Sequence, residues 1–166
     1  MSKPSVYGND YPLQSVSHKI ENLSLKIPAE YHFVEDNECN CHELWFVKDD
    51  YFSDISINKL NFEKSNLLDE EDLLYQAAEL SLRLIKTKLK DDFLFDGRYE
   101  WFDIGERKAI AFRYENKNRY SGRIVITKVN GVLLESNALL HKDRNNQELL
   151  SELFKAQNSN LESLTY

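Results

Sequence analysis

The chain has 166 residues, and its 21 lysines and arginines against 28 aspartates and glutamates give a formal charge of −7. One domain is expected at this length, and the 42% hydrophobic content is too high for a disordered chain. Nucleic-acid binding is disfavoured because phosphate contacts need clustered positive charge. No segment approaches the roughly 20 consecutive apolar residues that span a bilayer, and the start lacks a signal-peptide core. We therefore expect a cytoplasmic protein whose partner is neither nucleic acid nor a membrane.

The two ends of the chain lack a clear hydrophobic period. Residues 1–18 contain two prolines and a glycine among polar side chains. This composition is typical of an irregular segment, so we predict an N-terminal arm over residues 1–18 and a single α+β domain over residues 19–166. The sequence after Lys155 is polar and predicts a frayed tail.

Three strands are predicted in the first part of the domain. Residues 23–27 alternate apolar and polar side chains before a proline, residues 44–47 form a continuous apolar run, and a third strand begins near Ile55. Its apolar positions change phase between Ile57 and Leu60, which are three residues apart. A β-bulge at this point would keep both side chains on the core side of the sheet.

The strongest helix signal covers residues 69–90. Asp69 is expected to cap this helix by accepting a hydrogen bond from the backbone near Asp72. Acidic residues follow in the first turn and basic residues crowd the last turns, as the helix dipole favours. Apolar residues recur at spacings of three and four, which predicts one buried stripe. A second, shorter helix with the same periodicity is predicted over residues 145–155.

Beyond the long helix the hydrophobic period changes to two. This period predicts four more strands, and the Asn130-Gly131 pair between the last two is a strong hairpin signal. The order β-β-β-α-β-β-β-β-α indicates an α+β fold: an antiparallel sheet with the long helix and the C-terminal helix packed on one side of it. The four predicted strands are residues 99–104, 108–114, 120–129 and 132–137.

One loop combines residue types that bind metals. His32, Cys39, Cys41 and His42 offer imidazole and thiolate groups, which are the usual ligands of zinc. A structural zinc site needs two separated ligand pairs, and the chain has no second cysteine pair, so an ordinary loop is favoured. Sequence motifs for a serine nucleophile, a phosphate-binding loop and a zinc protease are missing, and we predict no cofactor.

Aromatic residues on the last four strands are the best candidates for contact with another protein. Core packing is the more common role of aromatic side chains in a sheet. Exposed tyrosine, tryptophan and arginine side chains, however, dominate interface hot spots. The residues predicted to lie on such a contact surface are Trp101, Tyr114, Tyr120 and Arg123.

The element order resembles a known fold. A strand ending in Leu25-Lys26-Ile27-Pro28, then a strand pair, a long helix, an antiparallel meander and a closing helix are similar to the PsbP/DcrB-like fold, which includes the Ran-binding Mog proteins. The resemblance covers about residues 22–155 and rests on the order of elements. It implies a non-catalytic binding or assembly protein. Bacterial members include cytoplasmic chaperones for type VI secretion effectors, so it also implies a chaperone or immunity-type protein of a secretion system.

Three functions are consistent with these patterns. The leading prediction is a non-catalytic cytoplasmic protein-binding module, whose acidic surface suits a basic partner. The second is an enzyme, small-ligand binder or metal binder that uses the loop containing His32, Cys39, Cys41 and His42. The third is a structural subunit of a larger assembly, for which residues 1–18 would be the docking strand.

Overall fold

A computed structural model of the chain describes residues 2–20, 22–35, 44–61 and 69–165. It confirms the α+β class and adds two strands, β1 and β3, to the predicted order. The elements are β1 (Leu13–Ile20), β2 (Leu23–Pro28), β3 (Tyr31–Phe33), β4 (Leu44–Lys48), β5 (Ser53–Leu60), α1 (Glu70–Leu89), a 3₁₀ turn (Lys90–Asp92), β6 (Phe93–Ile104), β7 (Arg107–Asn116), β8 (Tyr120–Val129), β9 (Val132–Leu140) and α2 (Gln147–Glu162).

Seven of these strands form one antiparallel sheet in the order β3-β4-β5-β9-β8-β7-β6. Strands β1 and β2 form a separate antiparallel pair. Strand β1 corrects the prediction that residues 1–18 are irregular, because residues 13–18 are extended. Its sequence LQSVSHKI alternates poorly, and its pairing with β2, which no local pattern reveals, accounts for its conformation.

The seven-stranded sheet is buried on both faces, with one helix on each. Helix α1 packs on the face that carries Ile110 and Phe112, whereas α2 packs on the face that carries Ala109 and Ala111. The expectation that both helices lie on one side is therefore wrong. Strand β7 accounts for this arrangement. Over residues 109–112 its large apolar side chains face α1 and the alanines between them face α2, so both faces of the strand can be covered by a helix.

The predicted β-bulge in β5 is also absent. Strand β5 pairs with β9 in an unbroken register over its whole length. Ile57 packs in the core beneath α2, and Leu60 packs against the cluster beneath α1 on the opposite face. Because both faces are covered, an apolar residue is accommodated on either, and the change of phase needs no bulge.

The predicted features of the long helix are confirmed. Asp69 caps α1 by accepting a hydrogen bond of 2.8 Å from the backbone N–H of Asp72. The helix buries leucine and alanine side chains on the sheet, including Leu73 and Ala77.

Of the helices in the described part of the chain, none is long and apolar enough to cross a membrane.

Tyr114 lies directly against a glycine of the next strand. The pair Tyr114 and Gly122 are partners in the β7–β8 register, and a Cβ atom at Gly122 would stand 2.8 Å from both Tyr114 Cζ and Leu139 Cδ2. The Tyr114 ring is buried, and its hydroxyl donates to Asn137 Oδ1 at 3.0 Å. Burial raises the pKa of this phenol. The missing side chain of Gly122 thus provides the space that the ring occupies.

We expect Gly122→Ala to lower the free energy of unfolding by about 1–3 kcal/mol, because the new methyl group displaces Tyr114 and Leu139 from their packed positions. Urea denaturation followed by circular dichroism measures this loss. Adding Tyr114→Leu to the alanine variant removes the steric conflict and should restore part of the lost free energy of unfolding. An unchanged denaturation midpoint in Gly122→Ala would contradict the packing described here.

Candidate functional site

The polar end of α2 is part of the protein interior, which corrects the predicted frayed tail. Residues 157–160 are all buried. Asn158 Nδ2 donates to the carbonyl of Gly8 at 2.8 Å, and the backbone N–H of Tyr11 donates to Ser159 Oγ at 3.0 Å. These amides and hydroxyls bind the N-terminal segment, so their polarity reflects buried hydrogen bonding rather than exposure.

A buried arginine joins this end of α2 to the sheet. Arg123 of β8 is 1% exposed. Its Nη1 donates to Gln157 Oε1 at 3.1 Å and to Asn158 Oδ1 at 2.8 Å. Its Nη2 donates to Glu100 Oε1 at 2.9 Å and, at a longer 3.4 Å, to Ser5 Oγ. One guanidinium therefore connects four separate parts of the chain.

Aromatic rings enclose the same guanidinium. The Cζ atom of Arg123 lies 4.9 Å from the ring centre of Tyr7, 5.2 Å from that of Phe102 and 5.5 Å from that of Phe154. Burial lowers the pKa of Arg123, and the negative charge of Glu100 opposes this effect. The guanidinium stays charged at neutral pH because the ordinary pKa of an arginine lies so far above 7. The rings and Glu100 replace the solvation that it loses.

Part of the predicted N-terminal arm lies beside the edge strand β6. From here on, "the arm" means this part alone, residues 3–8. The backbone N–H of Asp103 donates to the carbonyl of Lys3 at 2.7 Å. Glu100 Oε2 accepts a hydrogen bond of 2.9 Å from the backbone N–H of Val6. The segment that we predicted as a docking strand for a neighbouring subunit therefore binds the edge of its own sheet.

Strand β6 changes register next to the arm. Between its pairs Phe95–Tyr114 and Tyr99–Phe112, β6 advances four residues while β7 advances two. Gly97 lies in this bulge with a φ of 81°, a conformation that favours glycine. Bulges redirect side chains at sheet edges. Here the bulge includes Arg98, whose side chain is exposed.

A cleft of about 490 Å³ lies between the arm and the bulged part of β6. The arm contributes Lys3, Val6 and Tyr7 to its lining, β6 contributes Asp96 and residues 98–101, and Arg113 and Arg123 come from β7 and β8. The volume is within the range of small-ligand sites.

The lining of this cleft is cationic, although the whole chain is acidic. Its four basic and two acidic side chains give a formal charge of +2. Glu100 is already paired with Arg123. The guanidiniums of Arg98 and Arg113 have no carboxylate within 4.0 Å among the described residues. The cleft therefore presents positive charge that the described chain itself does not neutralise.

The four predicted contact residues do not form one surface. Tyr114 and Arg123 are buried, at 3% and 1% exposure, so the expectation that their side chains are exposed is wrong. Trp101 is half-buried and lines the cleft, and Tyr120 is half-buried beside His141. A binding role for these two residues stays a prediction. Gly122 and the amides of α2 supply the physical reasons why Tyr114 and Arg123 point inward.

The predicted metal loop lies largely outside the described residues, since Cys39, Cys41 and His42 all fall there. His32 is described, and its Nδ1 lies 3.0 Å from Asp49 Oδ1. Among the described residues, no group of three potential metal ligands comes together. The loop itself stays a prediction.

Sequence reasoning missed Glu100, Arg98, Arg113 and the contact between the arm and β6. One local signal was the charge content of residues 96–100, where two acids and an arginine interrupt an otherwise aromatic strand. The glycine at position 97 offered a second signal, because a glycine inside a strand often marks a bulge. The contacts of the arm with β6 span about a hundred residues of sequence and leave no periodic pattern.

We expect Arg123→Met to lower the free energy of unfolding by about 3 kcal/mol, because it leaves the acceptors of Gln157 and Asn158 buried without a donor. Arg113→Met is the matched control, since Arg113 is half-buried, makes a weak 3.4 Å bond to Tyr7 and lies 5.3 Å from the ring centre of Phe154, without the buried amide partners that Arg123 has. Its expected loss is under about 1 kcal/mol. Equal denaturation midpoints for the two variants would contradict a structural role for Arg123.

The sequence matches no protein-family profile and no curated protein. Solved structures nevertheless share its fold. The solution structure of cyanobacterial PsbP (CyanoP) from Synechocystis sp. PCC 6803 is 15% identical and aligns over 93% of this chain and 92% of that one, with a TM-score of 0.58.

The Ran-binding protein Mog1p of Saccharomyces cerevisiae is 7% identical. It aligns over 94% of this chain and 96% of its own, with a TM-score of 0.59. Likeness at such identities concerns the fold alone. It confirms the resemblance drawn from the element order: the chain has a PsbP/Mog-like α+β fold.

Proposed function

We propose that this chain is a non-catalytic protein-binding module and that the cleft between the arm and β6 is its binding site. The observation that carries the proposal is the cleft itself, whose exposed rim lies next to buried residues that are held in place by hydrogen bonds. Arg123 and Glu100 fix these residues through hydrogen bonds on both sides of the guanidinium. Preorganised sites of this kind lose little conformational entropy on binding.

The rim of the cleft has the apolar and aromatic side chains that anchor protein partners. Val6 is 79% exposed, although its backbone N–H is held by a hydrogen bond to Glu100. Trp101 is half-buried on the opposite side of the cleft. Aromatic and arginine side chains such as Trp101 and Arg98 are residue types enriched in interface hot spots.

The structural neighbours support a protein partner. One of them is described as Ran-binding, and proteins of one fold often differ in partner while keeping a binding role. We extend the proposal to a cytoplasmic chaperone or immunity-type protein of a bacterial secretion system, as the resemblance implies. The net charge of −7 favours attraction of a partner that is basic overall, because long-range steering depends on total charge.

The test is affinity capture from cells of the source organism with the full chain as bait, followed by quantitative mass spectrometry. We expect one partner at near-equal stoichiometry. Val6→Ser should weaken its binding about fivefold to tenfold, because a rim contact worth about 1 kcal/mol is lost. Val16→Ser is the matched control, since Val16 is also exposed, at 62%, but lies on β1 outside the cleft.

Trp101→Ala is a second variant, and its thermal unfolding is measured alongside to show that it remains folded. Capture of no stoichiometric protein would overturn the proposed function. Equal binding by wild type, Val6→Ser and Trp101→Ala would leave a binding protein but remove the cleft as its site.

A further inference from the structure

We infer that the occupant of the cleft is an extended, carboxylate-bearing segment of the partner, which adds a strand to the edge of β6 and pairs its acidic side chains with Arg98 and Arg113. This inference rests on the proposed function and specifies the partner's chemistry at the same site. It is carried by two independent observations, the charge of the cleft and the edge of β6 beside Tyr99 and Trp101, which lacks a backbone partner among the described residues.

The charge of the cleft selects an acidic occupant. Arg98 and Arg113 line it without a carboxylate partner among the described residues, whereas Glu100 is saturated by Arg123 and the arm. The remaining acid in the lining, Asp96, accepts a hydrogen bond from the backbone N–H of Arg98 at 2.9 Å. Two guanidiniums that can bind carboxylates in a bidentate manner are thus available.

The backbone of β6 selects an extended occupant. Strand β6 is one edge of the seven-stranded sheet. In an antiparallel ladder, alternate residues direct both backbone groups away from the neighbouring strand. Asp103 is such a residue, because its N–H bonds to Lys3. Trp101 and Tyr99 have the same orientation in the strand as Asp103. Their outward backbone N–H and C=O groups have no backbone partner in the described part of the chain.

The arm already shows how a strand is received at this edge. It uses one backbone hydrogen bond, from Asp103 to Lys3, and a carboxylate contact from Glu100 to Val6, and then turns away towards α2. A partner segment beside Trp101 and Tyr99 would continue the same edge. Addition of a strand supplies affinity through the main chain, and the two arginines supply selectivity for acidic side chains.

The charge of the site is therefore opposite to the charge of the whole chain. A partner that is basic overall is attracted at long range, and only its acidic segment fits the cleft. The two interactions respond differently to salt. Raising the salt concentration weakens the long-range attraction between the two proteins more than it weakens a desolvated arginine–carboxylate pair in the cleft.

The test measures the fluorescence anisotropy of a labelled octapeptide that alternates glutamate and valine, titrated with the full chain. An octapeptide alternating lysine and valine has the same β-propensity and the opposite charge. We expect the acidic peptide to bind and the basic one not to bind. The Arg98→Gln/Arg113→Gln double variant should bind the acidic peptide at least about tenfold more weakly.

The matched control for the double variant is Arg119→Gln, an exposed arginine in the turn between β7 and β8 that does not line the cleft. It should bind like the wild type, and circular dichroism melting should show all variants folded. An acidic peptide that is N-methylated at alternate residues tests the strand itself. It should lose binding, because methylation removes the donors that face the edge of β6.

Four outcomes of the peptide titrations would overturn the inference. They are no binding of the acidic peptide, equal binding of the basic peptide, unchanged binding by the double variant, and unchanged binding of the N-methylated peptide. Free glutamate that competes at the concentration of the peptide would also overturn it, in favour of a small anion. If any of these occurs while a captured partner still depends on Val6, the proposed function stands and this inference alone fails.

Discussion

The buried guanidinium of Arg123 is the interaction on which the rest of the structure depends. It is a full charge in the protein interior, and such a charge is tolerated only when every neighbouring group compensates it. Glu100, two side-chain amides of α2 and three aromatic rings provide this compensation. Because these groups come from distant parts of the sequence, satisfying one charge fixes the arm, the edge strand and the helix together.

The same arrangement produces the surface at which we place function. Glu100 neutralises Arg123 and binds the arm, and so it is unavailable to Arg98 and Arg113. The arm covers one part of the β6 edge and leaves the part beside Trp101 and Tyr99 without a backbone partner in the described chain. A structural requirement in the interior thus leaves positive charge and an open strand edge at the surface.

Local patterns in the sequence were sufficient for the elements that local forces determine. The cap at Asp69 and the Asn130-Gly131 turn follow from rules that act over a few residues, and both are confirmed. Alternation in β7 was visible, yet the two apolar faces were assigned to one layer because the sequence does not say which face each helix covers. Strand β1 is determined by its partner strand, and no property of its own residues indicates it.

The candidate site could be predicted only in part for the same reason. Arg123 and Trp101 were identified by residue type, and both line the cleft, but Arg123 was expected to be exposed. The direction of its side chain depends on Gln157 and Asn158, which were themselves interpreted as a frayed tail. A buried polar network has no periodicity, so each member resembles a surface residue until its partners are known.

The pair of Glu100 and Arg123 holds the arm against β6. Hydrogen–deuterium exchange of the full chain with and without Glu100→Ala tests this most directly. We predict that exchange in residues 3–8 becomes fast in the variant, while the amides of β8 and β9 lose some protection, because Arg123 loses its counter-ion, but still exchange far more slowly than the arm. Unchanged, slow exchange of residues 3–8 in the folded variant would contradict it.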